Sequence, residues 1–364
     1  MRHPLRIALS VLALIALLGP VTLQAEDITP RPTVGAIRWD AWFRGNRWQK
    51  NLNPKQWHYR LPFYGKEISD SEVVVCGDSQ EVMDREIAYA HAAGLDYWAF
   101  LHYHPRRSHG ADSYNYGLRL YLNSKHKADI RFCVIIYPVK GTEWLKQVED
   151  VVQYVKEPSY MRSAGGRPLI YLLAWGDRML PEKVWGTPTE GRAAIAVLRK
   201  RIGEAVQKNP YVIVQTVHTN EAVRCVDDLG LDAVSSYSNW TTGSYADLAA
   251  ANRQSWEEWR LTGKKVVPVV NAGWDPRPRN LPGGPEPTLA ELQEHLRSAM
   301  GWVEKNREAD DARTIMIYAW NESDEGGWLV PTKSEGAGRL DAVRAALRGP
   351  EGAMSNGGAE KIAD

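Results

Sequence analysis

The sequence predicts an α/β fold, a (β/α)8 TIM barrel forming a single domain. Three observations lead there. Eight short apolar runs recur along the chain, amphipathic helical segments separate most of them, and no glycine-rich turn follows the first run. Continuous apolar strands alternating with helices belong to a parallel sheet covered by helices. An open doubly wound sheet is the alternative, but it usually carries a glycine-rich turn after its first strand. Here that position reads Trp39-Asp-Ala-Trp-Phe43.

In chain order the strand-like runs are Val34–Trp39, Tyr97–Tyr103, Ile130–Tyr137, Leu169–Leu173, Val212–Gln215, Ala233–Tyr237, Val266–Val270 and Thr314–Ala319. The helices follow from period. Over 143–157, Trp144, Val148, Val151, Val152 and Val155 share one stripe, as do Leu289, Leu292, Leu296, Met300 and Val303 over 288–303. Thr288 with Glu291 three residues on reads as a capping box. Further helices are expected at 80–93, 190–207, 245–261 and 337–347, with a short one at 116–123. Eight strand–helix repeats in about 320 residues suit a barrel with some long loops.

The N-terminus carries Arg2, His3 and Arg6, then an apolar run from Ile7 to Leu18, then Leu23-Gln24-Ala25. That is the pattern of a secretory signal peptide over residues 1–25. The run is short for a bilayer span, and no later run approaches that length. A secreted or periplasmic protein without a membrane anchor is expected. Residues 26–33 are a lead-in, 34–348 the barrel, and the Gly-rich 349–364 a flexible tail. Cys76, Cys133 and Cys225 allow one disulfide at most, so disulfides do not build the fold. Whether Cys76 and Cys225 pair stays open. Cys133, inside an apolar run, reads as core.

Lys+Arg 45 against Asp+Glu 44 leaves no basic excess for a phosphate backbone, which argues against nucleic acid as a partner. Aromatic usage is uneven, with 15 Trp and 16 Tyr but 4 Phe. Trp and Tyr combine a flat apolar face with a polar edge, which suits a surface gripping a sugar. In a barrel, chemistry sits at the C-terminal ends of the strands. Those ends offer Trp39, Asp40 and Trp42; His102, Tyr103 and His104; Tyr137; Trp175; His218; Tyr237 and Trp240; Trp274, Arg277 and Arg279; and Trp320 and Asn321. All of these except Trp240 are taken as candidate substrate-binding residues. Nearly every end carries an aromatic side chain, a bias that core packing alone does not explain.

The eighth run closes on Trp320-Asn-Glu-Ser-Asp-Glu-Gly-Gly327. Glu322 and Glu325 are three residues apart. One helical turn would bring their Cβ atoms within about 5–6 Å, whereas an extended chain would hold the Cα atoms about 10 Å apart. Glycoside cleavage generally uses two flanking carboxyl groups, about 5–5.5 Å apart in retaining enzymes. Close carboxylates also push their pKa values apart, giving one acid and one base. Asp324 could replace either member. His102 and His104 share a strand face and could bind a metal, but the further ligands of a barrel metal site are missing from the other strand ends. No metal or other cofactor is called for. Arg277 and Arg279 could grip an anionic group of the substrate, or pair with Asp275 and brace their loop.

Ala319-Trp-Asn-Glu-Ser-Asp-Glu-Gly326 resembles the Trp-Asn-Glu-x-x-Glu-Gly motif of glycoside hydrolase family 99 and its WbsX-like relatives. Val34-Gly-Ala36, Ala93-Gly-Leu-Asp-Tyr-Trp98, Gly166-Arg-Pro-Leu-Ile170, Leu231-Asp-Ala233 and Gly273-Trp-Asp-Pro-Arg-Pro-Arg279 agree with it, so the resemblance spans most of residues 34–332. It implies a (β/α)8 barrel acting as an endo-α-mannosidase or α-mannanase. It also implies roles: Glu322 deprotonates the sugar 2-hydroxyl, which attacks the anomeric carbon to give a 1,2-anhydro sugar. Glu325 protonates the leaving oxygen and then activates water, with net retention. Ser323 stands where the family often has an aromatic residue, which touches mannose specificity rather than the chemistry. Two alternatives remain at this level, a non-catalytic glycan-binding barrel and a glycosyltransferase. Export and the lack of an Asp-x-Asp motif argue against the latter. The glycan, its linkage and the oligomeric state are not legible.

Overall fold

The computed structural model describes residues 30–103, 114–174, 180–216 and 219–348. Nine parallel stretches lie side by side, from Val269–Asn271 through Thr314–Tyr318, Thr33–Arg38, Tyr97–Leu101, Arg131–Ile136, Leu169–Leu173, Tyr211–Thr216 and Ala233–Ser236 to Lys265–Val266. The two outermost stretches are halves of one strand. Pro268 between them has no N–H for the ladder. On one side the Val267 N–H donates to the Val234 carbonyl at 2.9 Å, and on the other the Pro268 carbonyl accepts from the Met316 N–H at 2.9 Å. The seventh strand therefore joins the sixth to the eighth, and the sheet closes. The predicted (β/α)8 TIM barrel is the architecture found.

Every predicted helix is present within a few residues of its expected ends. Gln80–Ala93, Tyr116–Asn123 and Tyr245–Leu261 begin and end where the periodicity places them. The Thr288 capping box forms, with its hydroxyl accepting from the Glu291 N–H, and Ser244 with Asp247 makes a second. The sequence reading passed over the helix Thr219–Leu229. Its buried Ala222, Cys225, Val226 and Leu229 keep helical spacing but sit among charged residues. The excursion after the first strand was also missed. It holds short 3-10 turns at Trp48–Leu52 and Lys55–Arg60, then the hairpin Gly65–Ser69 with Glu72–Val75. The three cysteines are free, and Cys133 is a core residue. The signal peptide expected at 1–25 and the flexible tail expected at 349–364 lie outside the described residues. Among those described, no helix is long and apolar enough to cross a membrane.

Strand alternation divides the side chains into two layers. Tyr97 points inward, where its hydroxyl meets Tyr171 at 3.0 Å and Thr314 at 2.9 Å, on the fourth and eighth strands. Trp98 and Phe100 point outward against Tyr121 of the helix Tyr116–Asn123. Gly35, paired with Tyr97 on the neighbouring strand, leaves room for that phenol ring; a Cβ there would collide with it. Because Tyr97 is anchored at its hydroxyl, it cannot swing away. Gly35→Ala is therefore expected to destabilise the fold by about 1–3 kcal/mol through overpacking. Urea unfolding checks this, and an unchanged midpoint would mean that the barrel interior has slack.

Candidate active site

The chain after the eighth strand folds back on itself. Asn321–Glu322 pairs antiparallel with Gly327–Trp328, and the Glu325 N–H donates to the Glu322 carbonyl at 3.0 Å. The acidic pair therefore sits on a tight turn, neither extended nor helical, which brings residues i and i+3 within about 7 Å at Cα. Gly326 has φ +83°, and a Cβ on it would strike the Asp275 backbone of the neighbouring loop. Glycine is required there twice over, for its dihedral and for that approach.

Glu322, Asp324 and Glu325 are all buried, at 3%, 0% and 4% exposure. Arg279, from the loop after the seventh strand, reaches all three. Its Nε and Nη2 donate to the two Asp324 oxygens at 2.7 and 2.9 Å, its Nη1 donates to Glu325, and Nη2 lies 3.5 Å from Glu322. The guanidinium also lies over Trp39 and Trp48, at 5.0 and 4.9 Å from their ring centroids. Asn51 donates to Asp324 at 2.8 Å. Tyr237 donates to Glu322 at 2.8 Å, and Tyr318 donates to Glu325. Burial pushes the pKa of both phenols well above 10, so they stay neutral donors.

Burial raises the Glu322 pKa well above the ordinary carboxylate range; the Glu325 and Asp324 charges add to the rise, while Arg279 and Tyr237 oppose it. Glu325 is also raised, by burial and by Asp324, against Arg279 and Tyr318. Because Arg279 bonds Glu325 directly and only grazes Glu322, a shared proton favours Glu322 in this arrangement.

Here the chain meets known structures. Its fold is that of solved glycosidase barrels. A protein described as glycoside hydrolase-like superposes with a TM-score of 0.62 at 13% identity, covering 88% of this chain and 95% of its own. The family 99 endo-α-mannosidase of Bacteroides thetaiotaomicron superposes at 0.59 with 15% identity, covering 88% and 97%. The same endo-α-mannosidase, in complex with bis-tris-propane, superposes at 0.55 with 17% identity, covering 84% and 88%. No family model and no curated protein matches the sequence.

The structure gathers several candidates around the carboxylates. Trp39 forms a wall, its indole N–H donating to the Tyr103 hydroxyl at 3.0 Å, and Tyr137 lies beside Tyr103 at 5.4 Å between rings. Trp274 is half-buried beside Tyr318, at 5.7 Å between rings. His104, Trp175 and His218 lie outside the described residues.

Others are corrected. Asp40 points outward, where Arg38 donates to it at 2.8 Å and Gly117 of a covering helix packs against it; burial raises its pKa to about 6. Trp320 shares that outer layer, donating to Glu86 at 2.9 Å and lying against Trp98. His102 faces the helix Gly141–Tyr154, 3.2 Å from the Tyr154 hydroxyl. Trp42 is fully buried, with its N–H on the Asn321 carbonyl at 2.7 Å. Asn321 spends its amide on the Trp39 backbone, accepting from its N–H at 2.8 Å and donating to its carbonyl at 2.7 Å. All five side chains are engaged in contacts within the fold. Arg277 braces its loop by a bidentate contact to Asp275 at 2.7 and 2.8 Å.

Sequence reasoning missed Tyr318, Asn51 and Trp48. Tyr318 was legible as an inward strand position ahead of the motif, but nothing marked the loop residues Asn51 and Trp48. Asp324 was held as a substitute catalytic group, whereas the Arg279 and Asn51 contacts make it the anchor of the guanidinium.

A carboxyl with a raised folded-state pKa binds its proton more tightly in the fold than when unfolded. Its contribution to stability therefore falls as pH rises from the ordinary carboxylate range through the raised value. Glu322→Gln keeps an acceptor for Tyr237 and removes the charge. The variant should melt a few degrees above wild type at pH 8, with the gain shrinking toward pH 4. A difference independent of pH in thermal melts would rule out this account of the cluster.

Proposed function

We propose that the protein is an exported, endo-acting, retaining glycoside hydrolase of the family 99 type, cleaving an α-mannoside-like linkage in a polysaccharide or glycan. The observation that carries this reading is the pair of buried carboxyl groups on one turn at the barrel mouth, each with its own tyrosine donor and both on one guanidinium. The strand-eight motif and the shared fold support it. The signal-peptide-like pattern of residues 1–25 supports export.

In the proposed reaction Glu322 takes the proton of the substrate 2-hydroxyl. The freed oxygen attacks the anomeric carbon, and the bond to the leaving oxygen breaks as Glu325 donates its proton to that oxygen. The 1,2-anhydro sugar is then opened at the anomeric carbon by water that Glu325 deprotonates, while Glu322 returns its proton to the 2-oxygen. Two displacements give retention. Tyr237 donates to Oε1 of Glu322, and Oε2, now 3.5 Å from Arg279 Nη2, becomes open to the substrate when the guanidinium moves. The acid role needs the proton on Glu325, which the Arg279 contact disfavours. Substrate entry therefore includes displacement of the guanidinium from Glu325.

That same guanidinium favours a second reading, a glycan-binding barrel whose carboxylates are held permanently by Arg279. Kinetics separate the two. Glu325→Gln should abolish cleavage of natural glycan yet spare part of the activity on an aryl glycoside with a good leaving group. Glu322→Gln should lose both, each loss being about 10²–10⁴-fold. A substrate methylated at the 2-oxygen should not turn over, and the first-formed product should keep its anomeric configuration. Wild-type protein that binds glycan without releasing reducing ends would establish the binding barrel instead.

A further inference from the structure

Asp324 is wholly buried in the turn that runs from Glu322 to Glu325. The turn does not need its side chain, since the closing hydrogen bond runs from the Glu325 N–H to the Glu322 carbonyl. The Asp324 carboxylate instead accepts from other parts of the chain. Nε and Nη2 of Arg279 reach its two oxygens at 2.7 and 2.9 Å, and the Asn51 amide reaches one of them at 2.8 Å. Asn51 is itself fixed. Ahead of its 3-10 turn Trp48–Leu52, the Asn46 side chain accepts from the Gln49 N–H at 2.9 Å, and the Gln49 side chain accepts from the Val75 N–H at 3.2 Å. Asp324 is thus oriented from a side that Arg279 does not occupy.

Two parallel N–H···O bonds are the strongest mode a guanidinium offers a carboxylate. Arg279 spends that fork on Asp324, gives Glu325 an N–H from Nη1 alone and approaches Glu322 only at 3.5 Å. With the fork free, Glu325 would be its next partner, and a fully paired Glu325 would stay ionised and unable to act as an acid. We infer that Asp324 is a positioning residue for the acid: it holds the fork of Arg279, so that Glu325 keeps a single contact and is able to carry the proton for the leaving oxygen. This rests on the reading of Glu325 as the acid. The charge of Asp324 works in the same direction as its grip. Glu325 is faced by Arg279 from the loop after strand seven, by Tyr318 and Tyr237 from the ends of strands eight and six, and by Glu322 and Asp324 on its own turn. Asp275, which packs on the turn from the Arg279 loop, is occupied by Arg60 and Arg277. Among these groups Asp324 raises the proton affinity of Glu325, while Arg279 and Tyr318 lower it.

The test is the pH profile of Asp324→Asn in the full-length protein. The amide leaves one acceptor for the fork and no charge. For α-mannotetraose, whose sugar leaving group needs the acid, the basic limb of kcat/KM reports loss of the last proton from the glutamate pair. That limb should move down by about one pH unit, so that activity at a fixed pH on it falls about tenfold. For 4-nitrophenyl α-mannobioside, whose phenol leaves without a proton, kcat/KM at the same pH should stay within about threefold. An unmoved limb, or one moved upward, overturns the inference and leaves the hydrolase reading intact. An equal fall on both substrates overturns it too, because Asp324 would then serve the site as a whole or act as a catalytic group. If Asp324→Asn does not fold, Asp324→Ser removes the charge without adding an amide donor and is read in the same way. If wild type cleaves neither probe, the hydrolase reading fails separately, and a carboxyl-carbon NMR titration decides whether Asp324 governs that proton, with Glu325→Gln identifying the Glu325 signal. A Glu325 midpoint about one pH unit lower in Asp324→Asn sustains the inference. An equal or higher midpoint dismisses it.

Discussion

Three carboxylates on one turn cannot be buried together without a cation among them, and the arrangement around the barrel mouth follows from that constraint. Arg279 supplies the charge, and it is useful only if its loop is held in place. Asp275 does the holding. It is wholly buried and engaged by Arg60 and Arg277, and although burial alone would raise its pKa, those two guanidinium groups keep it below the ordinary value. The loop then lies so close to the strand-eight turn that Gly273 and Gly326 touch with no room for a side chain. A clamp of fixed charges, together with the Asp275 N–H donating to the Glu325 carbonyl at 2.7 Å, thus sets the distance between the two loops.

The turn itself hangs from the first strand. Asn321 takes both backbone groups of Trp39, and Trp42 takes the Asn321 carbonyl. Strand eight therefore carries its glutamates into a mouth whose adjoining wall, Trp39 at the end of the neighbouring strand one, is positioned by the same residue. On the outer face Arg38 is buried between Asp40 and Glu86, and Glu86 also accepts from Trp320. That second buried charge cluster pins strand one and the post-strand-eight segment to the helix Gln80–Ala93. The inner face bears the proposed chemistry, and the outer face keeps it in register.

The barrel was legible because its signal is local. Apolar runs and helical stripes are properties of neighbouring residues, and the seventh strand's break at Pro268 leaves its run readable. The acidic pair was legible for the same reason. What failed was the assignment of faces. Trp39 and Asp40 are adjacent, yet one lines the mouth and the other is sealed under a helix, because successive strand residues point to opposite sides. Reading every aromatic or polar residue at a strand end as a site residue swept in His102, Trp320 and Asn321 together with Tyr103 and Tyr237. Asn51 and Trp48 could not be found, since they reach the site from a 3-10 turn in the long excursion after strand one, and no period marks such a turn.

The resting and reactive arrangements of the proposed enzyme differ in one respect. At rest the proton favours Glu322, because the guanidinium sits on Glu325. The proposed chemistry needs the reverse. A sugar entering against Trp39 and Trp48 competes for the faces that Arg279 now covers, so stacking and withdrawal of the guanidinium are one event. Arg279 keeps Asp324 as an anchor through two hydrogen bonds, so it need only pivot away from Glu325 and not leave the site. Losing its nearest cation then raises Glu325 further and moves the proton where the leaving oxygen requires it.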